Sequence, residues 1–229
     1  MNMDIARELN LTCAITDLIA GVILIPMIFL ICLKKTDEEL EKKLWLYFLS
    51  LLAVSCFLGF VTHNYCTGRL FSLMWLPLYT VMFETVNAFF ILARYLSSGK
   101  MPSKKEIVIL HLICLAFWIV TETMEQILHV SPIRLYAAYA VIFGMWGFIL
   151  VIKSAFKKGR TCEKLLLGAF ILLIPAAYYQ IERKTEVRLI WMFNYDGLTH
   201  LFIIFAMFLM FFAALCSLSK KPLDSDVTV

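Results

Sequence analysis

The chain has 229 residues, of which 62% are hydrophobic and only 17% are charged, and its mean hydropathy is +0.83. Soluble domains carry about 25% charged and about 45–50% apolar residues, so this chain has too few polar residues to cover a water-facing surface. The composition therefore excludes a soluble globular domain, a disordered chain and a nucleic-acid-binding module. The net charge of +4 reflects basic loops rather than a nucleic-acid partner.

Seven apolar runs, separated by short polar segments, predict an all-α polytopic membrane protein with seven transmembrane helices. A span needs about 20 apolar residues, and the runs lack the alternation that a transmembrane barrel requires. The predicted spans are residues 14–33, 44–62, 70–93, 106–126, 134–152, 164–180 and 197–217. They form one seven-helix domain over residues 1–218, followed by a short cytoplasmic tail over residues 219–229.

The first apolar run is predicted to be a retained membrane anchor. The residues before it are not basic, and no small-residue cleavage motif follows it, so it differs from a signal peptide. Pro26, Pro77 and Pro175 fall inside predicted spans, where neighbouring helices accommodate a kink.

The 21 Lys and Arg residues are divided unequally between the two sides of the predicted bundle. Fifteen lie on the side of the C-terminal tail and six on the side of the N-terminus. Because basic residues concentrate in cytoplasmic loops, we expect a cell-membrane protein with its N-terminus outside and its C-terminus in the cytoplasm. This orientation requires an odd number of spans.

Ionisable side chains within membrane spans are costly and mark candidate functional sites. Most of those in this sequence lie near the outer ends of four predicted spans. They are Asp17, His63 with Asn64, Glu122 with Glu125, and Asp196 with His200. We predict that Asp17, His63, Asp196 and His200 converge under the outer surface, because an unpaired charge in that layer is destabilising.

His63, Asp196 and His200 are a candidate zinc site. Asp196 and His200 are four residues apart and project from one helix face, and both imidazole nitrogen and carboxylate oxygen bind Zn²⁺. Asp17 is a fourth ligand, or a catalytic carboxylate that orients an imidazole. Zinc lowers the pKa of a bound water towards neutrality and so supplies a hydroxide, which at this depth suits cleavage of a lipid amide or ester.

A structural interpretation of the same residues stays open. Histidine and aspartate at helix ends also reach lipid headgroups or cap helices. Asp196, next to Gly197, is a candidate N-cap of the last helix.

Glu84 lies near the middle of the third predicted span, with Asn87 on the same helix face one turn later. A glutamate at this depth is either hydrogen-bonded to a neighbouring helix or serves as a catalytic, proton-relay or ligand-binding carboxylate. His111 is predicted to be a lone histidine near a cytoplasmic helix end, which is typical of a packing residue.

Seven cysteines at scattered spacings do not form a disulfide framework. Cys13 and Cys66 alone are predicted to lie on the outer, oxidising side, next to helix ends. We predict that they pair in a disulfide, and the alternative is two free thiols.

Two motifs carry a resemblance to a known group of proteins. Gly59-x-x-x-His63 ends the second span and Asp196-x-x-x-His200 begins the seventh. This order resembles a superfamily of seven-helix membrane hydrolases and receptors that includes the alkaline ceramidases and the adiponectin/progestin-type receptors. The resemblance implies a zinc ion near one membrane face, with His63 as the helix 2 ligand and His200 as the second of two helix 7 ligands.

The sequence departs from that pattern at several positions. Asp196 stands where the first helix 7 histidine is expected, and Thr62 lies near the position of a serine. Residues 69–77 lack the acid expected early in the third helix. The Thr16-Asp17 pair, with a histidine ending the second helix, is closer to an uncharacterised group of prokaryotic seven-helix proteins.

These observations support two main functional hypotheses. The first is a metal-dependent lipid hydrolase, with zinc as its cofactor. The second is a non-enzymatic membrane protein, which binds or senses a small molecule or is a structural partner in a complex. A transporter or channel ranks lowest, because no inverted repeat is visible. Membrane lipids are the expected surroundings, and a protein partner or a homo-oligomer stays open.

Reporter fusions test the predicted orientation. A fluorescent protein fused after Val229 should fluoresce in the cytoplasm, and alkaline phosphatase fused before Met1 should be active outside, because the basic loops stay inside. A C-terminus found outside the cell would contradict both the odd number of spans and the outer position of the predicted site.

Overall fold

A computed structural model describes residues 3–65, 68–128, 132–182, 186–188 and 192–219. Within these residues the chain forms seven α-helices and one two-stranded antiparallel sheet. The helices are α1 (Met3–Leu33), α2 (Glu39–Tyr65), α3 (Gly68–Ser98), α4 (Lys104–Leu128), α5 (Pro132–Lys158), α6 (Thr161–Glu182) and α7 (Tyr195–Ser217). The strands β1 (Glu186–Arg188) and β2 (Met192–Asn194) lie between α6 and α7. The predicted all-α class is confirmed, and the hairpin is an addition that the sequence analysis did not predict.

Each predicted span lies within one helix, in the predicted order. The helices extend beyond the predicted limits, most clearly at α1, which begins at Met3 instead of residue 14. An apolar run marks only the part of a helix that lies within the lipid hydrocarbon. The helix itself continues into the polar residues on either side. Pro26, Pro77 and Pro175 lie inside helices, as predicted.

Six helices are long and apolar enough to cross a membrane, when the described residues are considered. They are α1, α2, α3, α5, α6 and α7. By length and composition, the chain is therefore a helical, multi-pass membrane protein. Helix α4 is not among the six, and its first turn carries the charged residues Lys104, Lys105 and Glu106. A seventh span at α4 therefore stays a prediction. The orientation of the termini stays a prediction as well.

The six apolar helices form a closed ring. Going round it, the neighbouring pairs are α1–α2, α2–α3, α3–α5, α5–α6, α6–α7 and α7–α1. Helix α4 lies outside the ring, against α3 and α5. As a result α1 lies between α2 and α7, which places three of the helices that carry predicted site residues next to one another.

Two glycines with positive φ end helices on the side predicted to face the cytoplasm. Gly99 (φ 70°) follows α3 and Gly159 (φ 63°) follows α5. Their N–H groups donate to the carbonyl oxygens of Tyr95 (2.7 Å) and Ala155 (2.8 Å). A residue in the left-handed conformation at a helix end donates hydrogen bonds to carbonyl groups that would otherwise lack partners. Glycine adopts this conformation without steric cost.

Gly147 allows a close approach of α5 to α3. A Cβ at this position would lie 3.1 Å from Cδ1 of Phe89 and closer still to Cε1. Phe89 is buried, and its ring contacts Phe48 and Phe170 at centroid distances of 5.8 and 4.9 Å. Since that ring is held on both sides, the packing of α3 on α5 depends on the missing side chain.

Gly147→Ala should therefore destabilise the protein by about 1–3 kcal/mol, the typical effect of overpacking a filled core. Gly144→Ala on the same helix is the matched control, because a Cβ there meets no atom within 4 Å. Thermal unfolding of the purified protein in detergent, followed by circular dichroism, measures both variants. Equal unfolding temperatures would show that α3 and α5 are not in close contact at this point.

Candidate functional site

Three of the predicted site residues come together where α1, α2 and α7 meet. The Nε2 atom of His200 lies 3.5 Å from Oδ1 of Asp17, and the rings of His63 and His200 are 6.4 Å apart between centroids. The side chains of Asp17 and His200 are only 11% and 16% exposed. We call Asp17, His63 and His200 the outer cluster, after the predicted orientation.

Thr16 fixes the orientation of the His200 ring. Its hydroxyl oxygen lies 2.9 Å from Nδ1 of His200. The same hydroxyl oxygen lies 3.0 Å from the carbonyl oxygen of Thr12 and 2.9 Å from that of Cys13. A threonine hydroxyl within a helix commonly bonds to a carbonyl one turn earlier. These contacts fix the Thr16 side chain, and its contact with Nδ1 turns the other ring nitrogen of His200, Nε2, towards Asp17.

A notch on α2 accommodates the Asp17 carboxylate. A Cβ added at Gly59 would lie 2.9 Å from Cγ of Asp17 and closer still to Oδ2. Gly59 precedes His63 by one helical turn, so both residues lie on the same side of α2. The Gly-x-x-x-His motif therefore has a physical explanation, since glycine admits the carboxylate and the histidine lies next to it.

His63 is held by aromatic packing. Its ring meets Trp75 of α3 edge to face, with centroids 5.6 Å apart and an interplanar angle of 86°. Trp75 in turn stacks on Tyr79 at 5.2 Å. Among the described residues, the His63 ring has no hydrogen-bond partner, so its nitrogens are the ones available to a ligand.

Asp196 lies on the same helix as His200, but its carboxylate pairs with α6. Its Oδ1 atom accepts a hydrogen bond of 2.9 Å from Nε2 of Gln180. The prediction that Asp196 caps α7 is wrong, because the N-cap is Asn194, whose side chain accepts from the N–H group of Gly197 at 2.9 Å. Strand β2 ends at Asn194 and delivers it in the extended conformation that an N-cap needs.

Cys13 is a buried free thiol that joins α1 to the start of α7. Its Sγ atom donates to Oδ1 of Asn194 at 3.2 Å. Cys66 lies outside the described residues, and so does the predicted pairing of the two cysteines.

Glu84 is not brought into the outer cluster. It follows Trp75 by nine residues on α3, which places it about 14 Å further along the helix axis. Its Oε1 atom lies 3.1 Å from Nδ1 of His111 on α4, so the interpretation of His111 as a lone packing histidine is wrong. The side chains of Glu122 and Glu125 lie outside the described residues.

The outer cluster fits a metal ion only in part. Nε2 of His200 and Oδ1 of Asp17, 3.5 Å apart, match one edge of a tetrahedron with metal bonds of about 2.0–2.1 Å. However, no group of three or more His, Cys, Asp or Glu side chains among the described residues has the geometry to hold a metal ion. The predicted set of His63, Asp196 and His200 does not close around one point, since Asp196 binds Gln180.

Comparison with known proteins assigns the family of the chain. Residues 12–218 match the sequence profile of a family of unknown function, DUF6962. The chain belongs to this family. The match begins in α1 before Thr16 and ends just after α7, so the whole outer cluster lies within the family domain. No curated protein and no solved structure matches the chain.

Sequence reasoning overlooked three contributors to the site of this DUF6962 protein. Thr16 was noted only as the neighbour of Asp17, although a hydroxyl beside a membrane carboxylate is a signal for a hydrogen-bonded pair. Gln180 ends the sixth predicted span, where an amide at membrane depth needs a partner. Trp75 contacts His63, and nothing in the sequence shows that contact.

Thr16→Val tests the link between α1 and α7. Valine keeps the shape of the side chain but removes the hydroxyl, which leaves Nδ1 of His200 without its hydrogen-bond partner and should cost about 1–3 kcal/mol. Thr80→Val is the control, because the Thr80 hydroxyl is exposed and bonds to its own helix at the Leu76 carbonyl. The two free energies of unfolding in detergent should differ, and similar values would argue against the Thr16–His200 bond.

Proposed function

We propose that this DUF6962 protein is a non-enzymatic membrane protein that binds the ammonium headgroup of a lipid in the outer leaflet. The observation that carries the proposal is the Asp17–His200 pair with Thr16. Nδ1 of His200 lies 2.9 Å from the Thr16 hydroxyl, and Nε2 lies 3.5 Å from Asp17. In this proposal His200 positions the Asp17 carboxyl group for the ligand, and no proton transfer is required.

The depth of the outer cluster agrees with a headgroup ligand. His200 lies five residues into α7, which begins at Tyr195, so it is about 7 Å from the end of the helix. The headgroup layer on each side of a bilayer is about 5–8 Å thick. In the predicted orientation, the cluster lies at the level where headgroups meet the hydrocarbon.

The carboxyl groups of the cluster favour an ammonium ligand. Asp17 and Asp196 bring carboxyl oxygens to this end of the bundle, and these oxygens accept hydrogen bonds from an ammonium group. The stacked rings of Trp75 and Tyr79 next to His63 add faces that attract an organic cation. Phosphatidylethanolamine carries the required group, whereas phosphatidylglycerol lacks it.

Lipid retention measures this preference. The purified protein is placed in nanodiscs of equal parts phosphatidylethanolamine and phosphatidylglycerol, and native mass spectrometry counts the lipids that stay bound. The unmodified protein should retain phosphatidylethanolamine. Asp17→Asn should reduce its preference over phosphatidylglycerol by about tenfold or more, since a hydrogen bond to a charged group contributes about 1.5–3 kcal/mol.

Asp37→Asn is the matched control, because Asp37 lies in the loop between α1 and α2, at the opposite end of the bundle. It should leave the preference unchanged. Equal retention of the two lipids by the unmodified protein, or equal effects of the two substitutions, would refute the proposal.

A metal-dependent lipid hydrolase is the second candidate. It is favoured by the 3.5 Å separation of His200 Nε2 and Asp17 Oδ1 and by the resemblance to the seven-helix hydrolases and receptors. This candidate predicts about one zinc ion per chain, lost in His63→Ala and His200→Ala but kept in His111→Ala. It also predicts release of fatty acid from a lipid amide or ester. Elemental analysis with this result would replace the ammonium proposal.

A further inference from the structure

The outward side of α5 carries a continuous row of exposed side chains that ends in two lysines. Helix α5 packs against α3, α4 and α6, and its remaining side is open between α4 and α6. The exposed residues on this side recur every three or four positions, which is the spacing of one helix face. We call them the α5 stripe, and they are Ile142, Met145, Trp146, Ile149, Lys153, Phe156 and Lys157.

Lys153 and Lys157 give the end of the α5 stripe a positive charge. Neither lysine makes a hydrogen bond or an ion pair within the part of the chain that the structure describes. The sequence has no Asp or Glu between Glu125 and Glu163. The Glu163 carboxylate does not neutralise the two lysines, because it is buried and pairs with Arg160.

The neighbouring polar residues hold this end of α5 in place. The Nζ atom of Lys158 donates to the carbonyl oxygen of Leu96 on α3 at 2.7 Å. The buried Ser154 hydroxyl donates to Oε1 of Glu163 on α6 at 3.1 Å. Ser154 and Lys158 are one turn apart on a different side of α5 from the stripe. The helix end is therefore anchored on one side, while the two stripe lysines stay accessible on the other.

The α5 stripe changes from apolar to basic at the depth of the lipid headgroups. Helix α5 ends at Lys158, so Lys153 lies about 7.5 Å from that end, and the headgroup layer is about 5–8 Å thick. Phe156 is 86% exposed, more than any other large hydrophobic side chain among the described residues. Long lysine side chains near a helix end extend towards the headgroups. The apolar part of the stripe therefore faces acyl chains, and the two ammonium groups face headgroups.

The charge of the stripe favours an anionic lipid over a second copy of the chain. In a two-fold symmetric dimer the same patch of both copies forms the interface. Two α5 stripes would then bring Lys153 and Lys157 of both copies together, and like charges repel. An anionic lipid instead supplies the opposite charge, and each lysine near an anionic membrane surface strengthens binding about fivefold.

We propose that the α5 stripe binds a phospholipid with two negative charges, the chemistry of cardiolipin. Lys153 and Lys157 bind the two phosphate groups, one each, and the exposed apolar residues over 142–149 contact the acyl chains. In the predicted orientation this lipid lies in the inner leaflet, at the opposite end of the bundle from the outer cluster. The proposal does not depend on the ligand of that cluster.

Photolabelling with paired lipids tests the site. The probes are cardiolipin and phosphatidylglycerol, which carry two and one negative charges, each with one diazirine-bearing acyl chain. Each is added to the full-length protein in phosphatidylcholine nanodiscs, and labelled peptides are identified by mass spectrometry. Cardiolipin should label α5 over residues 142–157 about fivefold more than phosphatidylglycerol, the effect of one further lysine meeting a negative charge.

A matched pair of variants completes the experiment. Lys153→Gln combined with Lys157→Gln should abolish the preference for cardiolipin on α5. Lys35→Gln combined with Lys43→Gln is the control, because it removes the same charge from exposed positions at the same end of the bundle, next to α1 and in α2. The control should keep the preference. Asp17→Asn should keep it as well, so this result and the result for the outer cluster are independent.

Equal labelling of α5 by the two lipids in the unmodified protein would overturn the proposal. A preference that persists without Lys153 and Lys157, or one that is lost in the control, would overturn it too. The comparison of the two lipids on the unmodified protein requires no substitution, so it decides the question even if a variant does not fold.

Discussion

The carboxylate of Asp17 constrains how α1, α2 and α7 pack. An ionisable group within a membrane span is stable only when other helices supply space and partners for it. Gly59 supplies the space on α2, and His200, itself held by Thr16, supplies the partner on α7. Because removing one member of a buried pair leaves the other without compensation, the three helices depend on one another at this end of the bundle.

The ionisable residues at membrane depth are each paired across two helices. In the outer cluster, Asp17 on α1 faces His200 on α7. Deeper in the bundle, Glu84 on α3 pairs with His111 on α4. Side chains that would be costly alone in hydrocarbon therefore link the helices to one another.

The number, order and approximate limits of the helices could be predicted, because each apolar run corresponds to the part of a helix that lies within lipid. The ring order and the position of α4 outside it could not, since hydropathy does not encode which helices are neighbours. The meeting of Asp17, His63 and His200 followed from their common depth, whereas the hydrogen bond of Asp196 to Gln180 was not predicted. Residues four apart on a helix differ by about 40° in direction, and α7 contacts both α1 and α6. That rotation is enough for His200 to reach Asp17 while Asp196 reaches Gln180. The Asn194 cap was not predicted because each strand of the hairpin that positions it has only three residues.

Helix α3 links the outer cluster to polar residues deeper in the bundle. From Trp75, next to His63, ring contacts continue through Tyr79 and Tyr136 to Phe83 and Tyr139, with centroid distances of 5.2, 6.3, 5.6 and 4.8 Å. Tyr139 then donates to Asn87 on α3. Aromatic packing along α3 and α5 therefore continues without a break from the outer cluster to Asn87.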